Sequence, residues 1–337
     1  MKLKYLIIPL LLFTLSCTQP IEDVVHSISG QTMGTTYSVK FTSQSPVNII
    51  EIKNNVNSLL EKVNQQMSTY IPNSELSFFN KSNSTNWVNV SDDLAFVMDA
   101  ALRICQFTNG KFDITIGPLV NLWGFGPDNK PQKVPSNRDI KKLRAFVGYR
   151  NIDVRLNPPS IRKRHPDVYC DLSAIAKGFG VDKISDYLTS KGYNNYLVEI
   201  GGELRAKGTK HKNSWKVGIS VPNQAVTIQE TISLNNKSMA TSGDYWNYFE
   251  ENGIRYSHTI NPISGKPITH KLASVSIVAE SCMEADAIAT AIDVMGPEAG
   301  LKFAVENELK VYFIVKGENS FETFFTPKFE ELISKGK

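Results

Sequence analysis

Apolar side chains recur every three or four positions in two stretches of the chain, and each stretch predicts an amphipathic helix. In the first, Ile52, Val56, Leu59, Leu60, Val63 and Met67 fall on one face. The second has sharper bounds. Ser91 stands at its N-cap, Asp92 and Asp93 complement the dipole of its first turn, and Gly110 stops it. Its apolar stripe is Leu94, Val97, Met98, Ala101, Leu102 and Cys105. A third helix is expected from about 173 to 191, closed by Gly192, and a fourth from about 283 to 295, closed by Gly296-Pro297. Between them, β-branched and aromatic runs predict strands at 37–41, 196–204, 216–221, 231–234, 256–260, 273–279 and 310–315. The runs at 196–204, 216–221 and 231–234 follow one another at hairpin distances, which favours antiparallel pairing. Helices and strands come in blocks, so the expected class is α+β, with mainly antiparallel sheets and packed helices. The Pro-, Asn-, Lys- and Arg-rich stretches 126–137 and 155–166 are expected as surface loops.

Composition narrows the class further. With 41% hydrophobic and 21% charged residues in 337, the chain is neither a disordered tract nor a polytopic membrane protein. Lys2 and Lys4 precede an apolar run over 5–15 that is shorter than the ~20 residues of a spanning helix. Ser16-Cys17 follows, so 1–16 is expected to be a bacterial-type export signal. A cysteine directly after a small residue resembles a lipobox, although Thr14 and Leu15 stand where Leu and a small residue are commoner. Cys17 is therefore the expected acylation site, with a plain signal peptide as the alternative; acyl chains would tether the chain to a membrane without spanning it. Residues 17–29 are expected as a tether into the first strand, and 30–332 as one continuous domain. Losing the two signal lysines lowers the net charge from +4 to +2, too little to point to nucleic acid. Cys105, Cys170 and Cys282 are odd in number and far apart, as buried core thiols would be.

Spacing also offers candidate chemistry. Asp286 and Thr290 lie at i and i+4, so two hard oxygen donors share a helix face, as Mg²⁺ or Ca²⁺ would need. A threonine bonded to its own helix beside an aspartate in water has the same spacing. Asp171-Leu-Ser-Ala-Ile-Ala-Lys177-Gly178 gathers a carboxylate, a hydroxyl and a lysine where a strand gives way to a helix. It suits an anion or a cation's shell, or a plain helix cap with Lys177 in solvent. Gly201-Gly202 in a strand run suggests close backbone approach or a bulge. His258 lies in a strand-like segment and is either a structural group or a general base. No Walker A loop, G-x-G-x-x-G, H-E-x-x-H or G-x-S-x-G occurs.

In this order, eight segments resemble the ApbE-type flavin transferases (FAD:protein FMN transferases). The first four are Gln31-Thr-Met-Gly-Thr-Thr-Tyr37, Met67-Ser-Thr-Tyr70, Gly110-Lys-Phe-Asp-Ile-Thr-Ile-Gly-Pro-Leu-Val-Asn-Leu-Trp-Gly-Phe-Gly126 and Asp171-Leu-Ser-Ala-Ile-Ala-Lys-Gly178. The others are Ile200-Gly-Gly-Glu203, Ala240-Thr-Ser-Gly243, Tyr256-Ser-His-Thr-Ile-Asn-Pro262 and Ala285-Asp-Ala-Ile-Ala-Thr290. Asn261 departs mildly from the pattern, since Asp is also common there.

The resemblance implies an ApbE-like α+β fold with a central FAD cleft and Mg²⁺ at the pyrophosphate. By motif match, Met33, Tyr70, Lys111, Phe112 and Asp113 would line the flavin site, and Asp171 and Lys177 would hold the nucleotide. His258 and Ile260 would lie by the flavin and phosphates, with Asp286, Thr290 and the Ala174 carbonyl as metal ligands. The implied reaction moves FMN from FAD to a Thr or Ser hydroxyl of an acceptor protein and releases AMP. His258 is the expected base, and Asp171 and Lys177 the further catalytic groups. The expected acceptors are subunits of membrane redox complexes or related exported flavoproteins, met by a lipid-anchored enzyme on the periplasmic side of the inner membrane. A FAD pyrophosphatase giving FMN and AMP, a non-catalytic FAD-binding lipoprotein and a purely structural lipoprotein are the alternatives.

Overall fold

Eight antiparallel strands form the main sheet, side by side in the order in which the chain makes them. They are β1 (Val24–Thr32), β2 (Thr35–Ser43), β3 (Tyr196–Ile200), β4 (Glu203–Lys207), β5 (Lys237–Gly243), β6 (Leu272–Ala279), β7 (Lys310–Lys316) and β8 (Phe321–Phe325). The four expected helices are α1 (Ile49–Met67), α2 (Asp92–Phe107), α3 (Ala176–Ser190) and α4 (Cys282–Met295). This computed structural model describes residues 23–127, 132–221, 227–243 and 247–334. The export signal expected over 1–16 and the acylation site Cys17 lie outside the described residues. Among the described residues no helix is long and apolar enough to cross a membrane.

Capping fixes the helices where the sequence marks it. The Ser91 hydroxyl accepts the Leu94 N–H at 3.3 Å, and the Asn48 side chain does the same for Glu51 at the start of α1. The stripe of α2 is buried from Leu94 to Cys105 except for Leu102, which packs against the same core from its edge. Cys105, Cys170 and Cys282 are free and buried, as their separation predicts.

Several elements differ from expectation, each for a local reason. The second half of the expected tether is β1, an edge strand whose alternating Ser27, Ser29 and Gln31 hide its inward Ile28 and Thr32. The run 196–204 is two strands. Gly201 and Gly202 take φ of 58° and 102° and turn the chain back, pairing Ile200 with Glu203. The runs 216–221 and 231–234 extend to Asn213–Ser220 and Ile228–Leu234 and pair antiparallel in a separate three-stranded sheet. The run 256–260 breaks at His258, between the strands Ile254–Ser257 and Ile260–Asn261. The stretch 155–166 is largely a hairpin of Ile152–Leu156 and Pro159–Lys163. Its arginines mislead because Arg155 and Arg162 stack on Trp87, 3.9 and 4.8 Å from the ring centroid. In 126–137, residues 132–136 are irregular and a helix begins at Asn137. The third helix starts at Ala176, three residues late, because 173–175 form a turn.

Two contacts set how α3 and α4 meet. A Cβ on Gly178 would lie 2.4 Å from the Cys282 carbonyl oxygen and 2.7 Å from the Met283 Cα, so the helices touch backbone to backbone. One turn further along α3, the Asp182 carboxylate accepts the Cys282 and Met283 N–H groups at 3.1 and 3.0 Å and the Ser281 hydroxyl at 2.8 Å. It also pairs with Arg205 at 2.6 Å. A carboxylate from one helix thereby satisfies the orphan donors that open the other. Gly178→Ala should force the helices apart at an overpacking cost of about 1–3 kcal/mol. A denaturant titration should show that loss as a lower unfolding midpoint; an unchanged midpoint would mean the helices have room to part.

Candidate active site

The turn after α1, the loop after α2, the irregular lead-in and first turn of α3 at 171–177, the Gly201-Gly202 turn, the end of β5 and one face of α4 surround a cavity of about 400 Å³. A strand is expected to lead into α3, but the preceding one ends at Lys163. Tyr70, Lys111, Phe112, Asp113, Asp171, Ala174, Lys177, His258, Ile260, Asp286 and Thr290 all line it. Met33 is not part of this wall. It occupies the β1–β2 turn with φ 50° beside Gly34 at 73°, and its side chain packs against the apolar core.

One end of the cavity is apolar and aromatic. Phe112 is buried there, and Ile116, Val120 and Phe125 complete the wall. Tyr70 is 64% exposed and its hydroxyl donates to the Phe125 carbonyl at 3.2 Å, spanning the rim. Burial and the Asp171 charge hold that hydroxyl above the ordinary tyrosine pKa. Asp113 is also at the wall, but its carboxylate turns inward. It accepts the Thr115 N–H and hydroxyl at 2.8 and 2.6 Å and the Tyr149 N–H at 2.8 Å. Burial raises its pKa, and those three bonds oppose the rise. Asp113 therefore shapes the loop that presents Lys111 and Phe112.

The other end is charged. Lys177, in the first turn of α3, reaches Glu203 at 2.8 Å and Asp286 at 3.6 Å. Desolvation alone would lower the ammonium's pKa, but the charges of Asp286 and Glu203 outweigh it and raise it above the ordinary lysine value. Burial pushes the Glu203 carboxyl up to about 8 against the pull of Lys177. Oε2 of Glu203 is buried without a hydrogen-bond partner. Asp286, only 4% exposed, is not the solvated residue that spacing allowed; its second oxygen accepts the Gly178 N–H at 3.0 Å. Asp171 is fixed from both sides. Its N–H donates to the Ile114 carbonyl at 2.7 Å and its carboxylate accepts the Ser173 N–H at 2.8 Å. Just before it, the Asn80 amide clasps both backbone groups of Cys170 at 2.8 Å.

The donor set for a cation is oxygen only. Thr290 gives its hydroxyl proton to the Asp286 carbonyl at 3.3 Å, which leaves its lone pairs for another partner, and Ala174 lies on the same wall. Among the described residues no group of three or more His, Cys, Asp or Glu is arranged to hold a metal. One carboxylate, one hydroxyl and one carbonyl fit a hard divalent ion that keeps waters and takes phosphate oxygens as its other ligands. The unpartnered Glu203 oxygen beside them adds unused acceptor capacity.

His258 sits on the irregular link between two short strands. Its N–H and its Nδ1 both lie 3.1 and 3.0 Å from the Asn247 carbonyl. A carbonyl only accepts, so Nδ1 carries the ring proton and Nε2 is the basic nitrogen. The next residue, Thr259, donates its hydroxyl to Asp293 at 3.1 Å.

Sequence reasoning missed Glu203, Asn80, Asp182 and Asp293. Glu203 stood inside a quoted motif, beside glycines that the structure shows to be its turn. Asp293 continues the Asp286–Thr290 face at i+7, a spacing that the sequence carries.

The ApbE family matches this chain over residues 33–313. A Vibrio cholerae protein named FAD:protein FMN transferase is 42% identical over 328 residues, 96% of this chain and 97% of its own length. Proteins of the same name from Haemophilus influenzae and Escherichia coli K12 are 42% and 35% identical, over 92% and 97% of this chain and 92% and 96% of their own. The solved structure of flavin transferase ApbE from Vibrio cholerae aligns with a TM-score of 0.85 at 40% identity, over 92% of this chain and all of that one. The apo form of the Pseudomonas stutzeri flavinyl transferase ApbE gives 0.87 at 36% identity, over 95% of this chain and all of its own. With a match across most of its length, in sequence and in fold, this chain belongs to the ApbE family.

Proposed function

We propose that this chain is an FAD:protein FMN transferase that uses Mg²⁺ and an exported acceptor. The observation that carries the reading is the two-ended cavity, an aromatic wall joined to a buried ammonium–carboxylate cluster with His258 on its rim. An isoalloxazine suits the Tyr70–Phe112 end and a diphosphate the Lys177 end. The acceptor's Thr or Ser oxygen attacks the phosphorus of the FMN half, a P–O ester bond forms, and the bond to the AMP phosphate breaks. His258 takes the hydroxyl proton at Nε2, while its Nδ1–H stays on the Asn247 carbonyl. Lys177 stabilises charge on the phosphates, and Asp171 holds the nucleotide or orients the attack. Asp286, Thr290 and the Ala174 carbonyl would hold the divalent cation, whose chemistry is to neutralise phosphate charge.

The sequence of the first residues supports an exported, lipid-anchored enzyme acylated at Cys17 on the periplasmic side of the inner membrane. Acceptors there would be subunits of membrane redox complexes or related exported flavoproteins.

Incubation with FAD, Mg²⁺ and such a subunit, prepared without its flavin, tests the reading. Flavin fluorescence on the denatured acceptor band means transfer, free FMN means hydrolysis, and unchanged FAD means storage. In that assay His258→Ala should cut transfer by about 100-fold or more while FAD binding, followed by flavin fluorescence, persists. Near-normal transfer would remove His258 from the base role. Chelation by EDTA should abolish wild-type transfer, and Asp286→Ala should lower it even at high Mg²⁺; turnover indifferent to EDTA would refute the metal requirement.

A further inference from the structure

Asp293 is fully buried near the C-terminal end of α4, seven residues after Asp286 and three after Thr290, on the same helix face. It does not line the cavity, yet it holds two residues that do. Its Oδ2 accepts the Thr259 hydroxyl at 3.1 Å and the Ser242 hydroxyl at 3.2 Å. Its main-chain carbonyl accepts Nε2 of His270 at 2.7 Å, a second stitch between α4 and the segment after His258. Hydrogen bonds to a carboxylate are stronger than those between neutral groups, which suits a fixed spacer.

That segment has little regular structure to hold it. His258 lies between strands that end at Ser257 and resume at Ile260. Thr259 is its neighbour in the chain, so the Thr259–Asp293 bond ties the histidine's backbone to α4. The same helix carries Asp286 and Thr290 at the charged end of the cavity. We propose that Asp293 is a positioning residue that, through Thr259, fixes His258 relative to the Asp286–Thr290 face. This inference rests on the reading of His258 as the base. Ser242 of the Ala240–Gly243 motif bonds the same carboxylate oxygen, joining the end of β5 to the stitch.

Near-isosteric variants of the full chain test it. Asp293→Asn weakens the acceptor, and Thr259→Val removes the donor with little change of volume. For each, and for the double variant, three quantities are measured: FAD affinity by flavin fluorescence, single-turnover transfer to a flavin-free subunit of a membrane redox complex, and the unfolding midpoint. Either single change should slow transfer about 10- to 100-fold, as small misplacements of a catalytic group do, with FAD affinity held within about twofold. The double variant should be no slower than the slower single, because both act through one bond. Thr259→Ser, which keeps the hydroxyl, should recover most of the rate. Full-rate single variants, multiplicative losses in the double, or FAD affinity falling in step with the rate would each overturn the positioning role. Should Asp293→Asn not fold, Thr259→Val against Thr259→Ser decides alone by the same criteria. His258→Ala, run alongside, separates the two claims. Full transfer by that variant overturns the base reading itself, whereas its failure beside fully active Asp293 and Thr259 variants overturns only the positioning.

Discussion

Two helices meet where no Cβ fits, and the charged end of the cleft is assembled on that contact. Gly178 lets the backbone of α3 reach the start of α4, and the Asp286 carboxylate accepts the Gly178 N–H across the joint. Lys177, one residue earlier, is thereby delivered to the same carboxylate and to Glu203 on the sheet. Asp182 locks the joint from the next turn of α3 by satisfying the free N–H groups that begin α4. An interaction that looks like helix packing therefore sets the spacing of Lys177, Glu203 and Asp286. α4 acts as the spine: its first turn is held by α3, its middle faces the cavity, and its last turn is stitched to the His258 segment.

Much of this was legible beforehand, and the parts that were not share a cause. Helices with a long apolar period and a capping residue, such as α2 with Ser91, announce themselves because burial and capping both act within a few residues. Strand β6 was equally plain, being buried along nearly its whole length. What escaped were elements whose polar positions have partners far away in the chain. The hairpin over 152–163 reads as a loop until Trp87 is seen beneath its arginines. The split of 196–204 depends on two left-handed glycines, which in sequence serve a bulge as well as a turn. Short helices such as Glu75–Lys81 span too few turns to show a period.

The site shows the same division. Residues that touch the cavity, such as Tyr70, Asp171 and His258, came through the ordered motifs, because each stands in a run of fixed local form. Residues that hold those in place did not. Asn80 clasps Cys170 from ninety residues away, and Asp182 caps a helix one hundred residues on. No local pattern records such bonds. Asp113 is the converse case: the resemblance implies a flavin contact, and the residue lines the cavity, but three inward hydrogen bonds give its carboxylate a structural task.

The charge balance of the cleft bears on what can enter it. Lys177 is the buried ammonium of its charged cluster, engaged by Glu203 and Asp286, and Lys111 lines the same cavity. Burial drives Glu203 toward its protonated form, which lessens the negative charge it would otherwise present to the cavity. Even so, a diphosphate arriving alone would meet a cation largely neutralised by its neighbours and the fixed charge of Asp286. Like-charge contact at low dielectric is costly, and a lysine already paired with two carboxylates does little to offset it there. Asp286, Thr290 and the Ala174 carbonyl, oxygen donors only, would hold a divalent ion whose chemistry is to neutralise phosphate charge. On this argument the carboxylates are not obstacles to anion binding. On the proposed reading they would make the cleft favour an anion that brings its own cation, coupling occupancy of the Lys177 end to a divalent ion.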